Sequence, residues 1–303
     1  MLVLLLPGFQ CPVSAALLTT STATARHAFL RTLCRPCVTA SVPTPMNAST
    51  KTASSTPSGS TEERAMSSYR IEQVETAQAL ARRAAEHIGS AIDLALDQRD
   101  RAQIALSGGT TPALAYALLG QEHLPWDRVD VFLGDERWVA ADDESSNARM
   151  LRNTLLKRDQ PGARACFHPV PTVELASPEA SADAFAELVA QICQGQPPVF
   201  DLMLLGLGDD GHTASLFPGT EAPGVRDRWT TIGRGKGLER ITLTAPVLSA
   251  SRQVVFLVSG DAKRQALSRL VDADESPERT PAKLVQPGSE ILVLADQAAA
   301  QGL

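Results

Sequence analysis

The feature that most narrows the fold of this chain is a series of short, almost continuously apolar runs, each closed by glycine or polar residues. They fall at 103–106, 129–133, 200–205, 241–243, 254–258 and 291–294. Runs this short and this continuous read as strands covered on both sides, not as strands with one wet face. Helical patterns lie between them. Ala77, Leu80, Ala84, Ile88, Ala91 and Ala95 recur at spacings of three and four, which makes one apolar face of a long helix. Further helices are predicted over 111–119, 147–156 and 180–193. Alternation of such strands and helices implies an α/β fold: a mainly parallel sheet with helices on both faces. In sheets of this kind ligands sit beyond the carboxyl ends of the strands. The residues just after each run are therefore where chemistry is expected.

Residues 1–68 differ in kind from the rest. Ser, Thr, Ala and Pro dominate, and the first acidic residue is Glu62. The polar tract 41–60 is too poor in apolar side chains to order itself. We expect a disordered N-terminal extension, or a start placed too early with Met46 or Met66 as the true beginning; a signal or transit segment is the weaker alternative. Cys34 and Cys37 have the spacing of a redox or zinc pair, but no second pair lies beyond them. From 69 to 303 no internal boundary or repeat is evident, so a single catalytic α/β domain is expected there.

Three clusters at strand ends carry the chemistry. The first is Ser107-Gly108-Gly109-Thr110-Thr111-Pro112. Its glycines let the backbone approach an anion, Pro112 suits the first helical turn, and a helix start attracts phosphate. It lacks the lysine and spacing of a P-loop. The second is Gly134-Asp135-Glu136-Arg137-Trp138. Arg137 offers a planar fork for phosphate or carboxylate, which Asp135 or Glu136 would steady, or these acids would bind sugar hydroxyls. The plain alternatives are a capped turn and a surface ion-pair loop.

The third cluster is Gly206-Leu207-Gly208-Asp209-Asp210-Gly211-His212-Thr213-Ala214-Ser215-Leu216-Phe217-Pro218-Gly219. Its opening matches the dinucleotide fingerprint, yet two carboxylates in the loop would repel a pyrophosphate, and Pro218-Gly219 stops any helix after it. The better reading is a histidine base, with His212 as the proton acceptor for a water and Asp210 or Asp209 orienting its ring; the plain alternative is a helix-capping or structural histidine. Ser215 lacks a nucleophile elbow. A fourth, weaker element is Ser259-Gly260-Asp261-Ala262-Lys263-Arg264, where Lys263 reads by default as a solvated helix lysine and alternatively as a second cation for the same phosphate. Arg240 is a marginal candidate, and His123 and His168 sit in loops without evident partners.

Charge and composition exclude several classes. A net charge of −6 with a pI near 5.4 argues against nucleic acid or an anionic membrane as partner. No apolar run reaches the ~18 residues of a membrane helix. Five scattered cysteines do not make a disulfide framework, which points to the cytoplasm. Oligomeric state is not written in the sequence.

Taken in order, the 106–110, 134–139, 201–219, 240–248, 259–264 and 281–287 segments resemble the 6-phosphogluconolactonase family. The resemblance implies a fold similar to the glucosamine-6-phosphate deaminase and ribose-5-phosphate isomerase group. It also implies metal-free hydrolysis of 6-phosphogluconolactone in the oxidative pentose phosphate pathway. Carried over by motif position, Ser107, Gly108, Gly109, Thr110, Arg137 and Lys263 would hold the 6-phosphate, and His212 with Asp210 would activate water. The alternative is a glucosamine-6-phosphate deaminase. That family continues from its Asp-Gly-His into a segment bearing a glutamate, whereas no glutamate comes after His212 until Glu221. A sugar-phosphate-sensing regulator would need a DNA-binding helix pair, which the head does not show.

Overall fold

The computed structural model of the protein describes residues 68–303. The expectations for the head, including the Cys34–Cys37 pair and the alternative starts, lie outside the described residues. The chain runs β1 (Tyr69–Val74), α1 (Ala77–Gln98), β2 (Ala102–Leu106), α2 (Thr110–Leu119), β3 (Val129–Leu133), β4 (Asp135–Arg137) and α3 (Asn147–Asn153). It continues through β5 (Cys166–Phe167), α4 (Pro178–Ile192), β6 (Leu202–Gly206), β7 (Thr230–Gly235) and β8 (Leu238–Leu243). It ends with α5 (Ala245–Ala250), β9 (Val254–Val258), α6 (Arg264–Val271), β10 (Ile291–Asp296) and α7 (Gln297–Ala300).

Seven strands form one sheet in the order β1-β10-β9-β6-β2-β3-β5, every neighbouring pair parallel. Strands β3, β9 and β10 are buried at every position, so both faces of the sheet are covered, as their unbroken apolar runs require. Helix α1 begins where the Thr76 side chain accepts from the Ala79 amide, and it buries Leu80, Ile88 and Ile92 completely against the core. The α/β, mainly parallel architecture expected from the sequence is therefore the one observed.

The short strands β4, β5 and β7 were not among the expected runs, and two further elements differ from expectation. The run 241–243 was expected to join the parallel sheet. Instead it belongs to β8, the middle of a separate three-stranded antiparallel sheet ordered β4-β8-β7. The reason lies in the Lys236-Gly237 turn, where both residues have positive φ (55° and 78°), the signature of a tight two-residue hairpin that folds β8 back on β7. The edge strand β1 was not anticipated either, since its alternating, half-exposed residues give no continuous apolar run.

Gly134 is the joint between the two sheets. Its amide bonds the Leu106 carbonyl at the end of β2, while its own carbonyl accepts from Leu243 of β8, both at 2.9 Å. The residues that end β2 and those that begin β4 are thereby held beside one another, and a cleft opens between them.

Candidate active site

The cleft, of about 270 Å³, lies at the carboxyl ends of β2, β6 and β9, walled on one side by the small antiparallel sheet. Ser107, Gly108, Gly109, Thr110, Asp135, Arg137, His212 and Lys263 all line it. Asp210 does not line it, but bonds directly to His212. The strand-end rule thus brings residues more than a hundred positions apart onto one surface.

The first wall is the β2–α2 turn. Gly109, with φ 115°, is the residue before α2, and no side chain caps the helix, so its first amides are left for a ligand. Gly108 cannot carry a side chain: a Cβ there would stand 2.0 Å from the Asn147 side-chain oxygen. Tyr116, fully buried, both donates to and accepts from the Ser107 backbone and fixes the turn from below.

The second wall is β4 with the start of α3. The Arg137 fork is steadied by the Asn147 side chain (2.7 Å) and the Ser145 carbonyl (2.5 Å), not by its acidic neighbours. Glu136, almost fully buried, turns away from the cleft. It accepts from the Asn147 and Ala148 amides, the Ser146 hydroxyl and the Arg137 amide, and so holds α3 in place. Burial raises its carboxyl above the usual range, and those amide bonds pull it back only in part. Asp135 accepts from Ser215 at 2.5 Å and pairs with Arg240 at 3.7 Å.

The third wall is the loop after β6. The His212 Nδ1 lies 2.5 Å from Asp210 Oδ1, which also accepts from the His212 amide. This leaves Nε2 without a partner among the described residues. Desolvation holds the imidazole below the usual histidine range, although Asp210 and Asp135 act in the opposite sense. Gly208 is necessary beneath it, since a Cβ there would meet Nδ1 at 2.0 Å. The Gly208 and Gly211 amides are spent inside the loop, on the His212 and Gly208 carbonyls, so these two are not free to stabilise an oxyanion. Ala214, lining the cleft at φ 47°, holds the loop in a conformation that costs a non-glycine residue free energy.

Four cations face the cleft: Arg137, Arg240, Lys236 and Lys263. Arg240 was only a marginal candidate by sequence and Lys236 was not one. Strand pairing opposes Arg240 to Arg137, and the tight turn lifts Lys236 to within 3.6 Å of Asp209, which Lys263 also approaches at 4.0 Å. Ser107 Oγ, Arg137 Nε and Arg240 Nε are shielded from solvent without a partner among the described residues. Unpaired donors of this kind cost ~1–3 kcal/mol each unless a ligand takes them. An anion held by these groups would stand near a histidine with a free ring nitrogen.

Among the described residues, one group has metal-ligating atoms close together: Asp130, Cys166 and His168, all within 4.8 Å. It lies at the opposite end of the sheet, where Arg101 grips Asp130 through two bonds and His168 adds a third at 2.9 Å. His168, expected to be unpartnered, is thus part of an ion-paired anchor.

Residues 75–294 match the sequence profile of the family described as "Glucosamine-6-phosphate isomerases/6-phosphogluconolactonase". Among curated relatives, the 6-phosphogluconolactonase of Synechocystis is 44% identical over 230 residues, covering 75% of this chain and 95% of that one. That of Nostoc is 41% identical, covering 73% and 92%. Among solved structures, a 6-phosphogluconolactonase from Trypanosoma brucei superposes with a TM-score of 0.70 at 28% identity, covering 78% of this chain and 99% of its own. A monomeric glucosamine-6-phosphate deaminase, 22% identical with a TM-score of 0.64, shares the fold.

Proposed function

The chain belongs to the glucosamine-6-phosphate isomerase/6-phosphogluconolactonase family, and from that premise we propose that His212 and the cations around it carry out the hydrolysis of 6-phosphogluconolactone. The enzyme is a hydrolase that opens this lactone to 6-phosphogluconate in the oxidative pentose phosphate pathway. The curated relatives that cover most of the chain bear this activity.

The observation that carries the mechanism is the pairing of an imidazole, engaged at Nδ1 and free at Nε2, with a cluster of unsatisfied cationic donors. The 6-phosphate sits against the open start of α2, Ser107, Gly108, Gly109 and Thr110, with Arg137 and Lys263 neutralising its charge. That remote grip fixes the lactone ring so that water, hydrogen-bonded to Nε2, attacks the carbonyl carbon. The water proton passes to Nε2 as the C–O bond forms. The tetrahedral intermediate collapses by breaking the ring C–O bond, and the imidazolium returns the proton to the leaving oxygen. Asp210 holds the Nδ1–H tautomer and stabilises the imidazolium while it lasts. Asp135 is placed to accept from a sugar hydroxyl.

Residues 69–303 form the catalytic domain in this reading. Its substrate is a small phosphorylated lactone, without nucleic acid and without metal or cofactor, in the cytoplasm. Among the described residues no helix is long and apolar enough to cross a membrane. The test is the decay of freshly generated 6-phosphogluconolactone with the purified chain against its spontaneous decay. Acceleration that His212→Ala abolishes supports the mechanism, whereas wild-type acceleration in His212→Ala removes the base. Ammonia release from glucosamine-6-phosphate would instead place the chain with the deaminases.

A further inference from the structure

We propose that Phe217 is a positioning residue for this reaction, its ring setting the plane of the His212 imidazole and holding the Arg240 guanidinium beside it. The inference rests on the assignment of His212 as the base.

Phe217 is 4% exposed, yet it is not part of the contiguous cluster of apolar side chains that makes the core. A phenyl ring buried outside the core is buried for its neighbours, and here these are polar groups of the cleft. The His212 ring centroid is 4.4 Å away with the planes tilted by 36°. The Arg240 guanidinium carbon stands 5.3 Å over the same ring. The ring face attracts the guanidinium, which helps Arg240 be buried with its nearest carboxylate, Asp135, at 3.7 Å and with Nε unpartnered among the described residues. The fold makes room for this ring at a specific place: a Cβ on Gly235 of β7 would come within 2.5 Å of it. Gly235 has no positive φ, so this glycine answers to the ring and not to the backbone.

The charged groups facing His212 are Asp210 on its own loop, Asp135 on β4, Lys236 on the β7–β8 turn and, across the ring, Arg240 on β8. The two carboxylates favour the imidazolium and Lys236 opposes it. Desolvation decides the balance toward the neutral ring. Phe217 supplies one covered side of that imidazole. Cutting the ring back lets water reach the side it covers and frees both His212 and Arg240 to leave their positions.

The test compares the pH profile of kcat, the KM and the thermal melt of the full chain for wild type, Phe217→Leu, Gly235→Ala and His212→Ala, with 6-phosphogluconolactone as substrate. In Gly235→Ala the ring remains but is displaced. Both Phe217→Leu and Gly235→Ala are expected to lower kcat by ~10-fold or more. In Phe217→Leu the acid limb of the profile moves up toward the ordinary histidine range as the covered side is hydrated. A folded Phe217→Leu with wild-type kcat and acid limb overturns the inference. So does a loss of kcat with the limb unmoved, which would mark a merely structural ring. Should Phe217→Leu fail to fold, Gly235→Ala decides alone: wild-type kcat overturns, a ~10-fold loss at an unchanged melt supports. An active His212→Ala would instead strike the base assignment, while an inactive one with normal Phe217 and Gly235 variants strikes this inference alone.

Discussion

At the scale of single residues, the proposed mechanism divides the site into a base and an anion grip, and kinetics can tell them apart. His212→Ala is expected to lower kcat by ~10²-fold or more with little change in melting temperature, because general-base catalysis typically supplies that much. Asp210→Asn should fall between it and wild type. Arg137→Ala should mainly raise KM, by ~10–100-fold, the worth of ~1.5–3 kcal/mol for hydrogen bonds to a charged group. Steady-state kinetics on fresh lactone checks all three. The pH dependence has a defined sign. As the proposed base His212 works in its neutral form, and its folded pKa lies below the usual 6.5. Activity should therefore persist as pH falls below 6.5 and decline only further into acid. An acid limb above that value would contradict the burial of the ring. His212 was legible in the sequence because a histidine among glycines just past a buried strand has few other uses. Arg240 and Lys236 were far less so. Arg240, within a strand, was a marginal candidate, and Lys236, in a glycine-flanked turn, gave no signal until strand pairing delivered both to the cleft.

At the scale of elements, the less obvious residues are those that hold one element against another. Glu136 looked like a ligand-binding acid because it neighbours Arg137. Its carboxylate in fact gathers the first amides of α3, which carries Asn147 back to Arg137. Glu136→Gln cannot accept all four bonds through two oxygens. It is expected to lose ~1–3 kcal/mol of stability and to raise KM through the displaced Asn147, as a melt and kinetics together would show. Gly108→Ala should reproduce the KM effect without removing any polar group, since the added methyl meets the Asn147 side chain. The main strands were readable from their apolar runs. The hairpin β7–β8 was half hidden, because its register depends on positive-φ turn residues and its second strand resembles a core strand. Strand β4 is too short to carry any periodicity.

At the scale of the whole molecule, a chain of net charge −6 concentrates four cations around one cleft. An anionic substrate should then be drawn in more weakly as salt rises, because the screening length shrinks from ~30 Å at 0.01 M to ~8 Å at 0.15 M. A several-fold fall in kcat/KM over that range, carried by KM, is expected. A flat response would mean the cleft's field does not reach into solution. The far end of the sheet has a different task. Asp130 would be pushed up by burial, but the His168 and Arg101 bonds outweigh this and hold it at about 2. With the folded pKa below the unfolded one, its contribution is present above about pH 4 and is lost as pH falls toward 2. Asp130→Asn should cost ~1–3 kcal/mol by weakening the charge-assisted bonds from Arg101 and His168, measured by denaturant melts, while kcat stays unchanged.

The joint at Gly134 has a consequence for descent. In the proposed mechanism the groups that grip the anion come from several segments on both sheets, so losing any one leaves most of the grip standing. The base and the acid that orients it come from one unbroken stretch after β6. A lineage could therefore rewrite that single stretch and acquire a new reaction on an inherited phosphate handle.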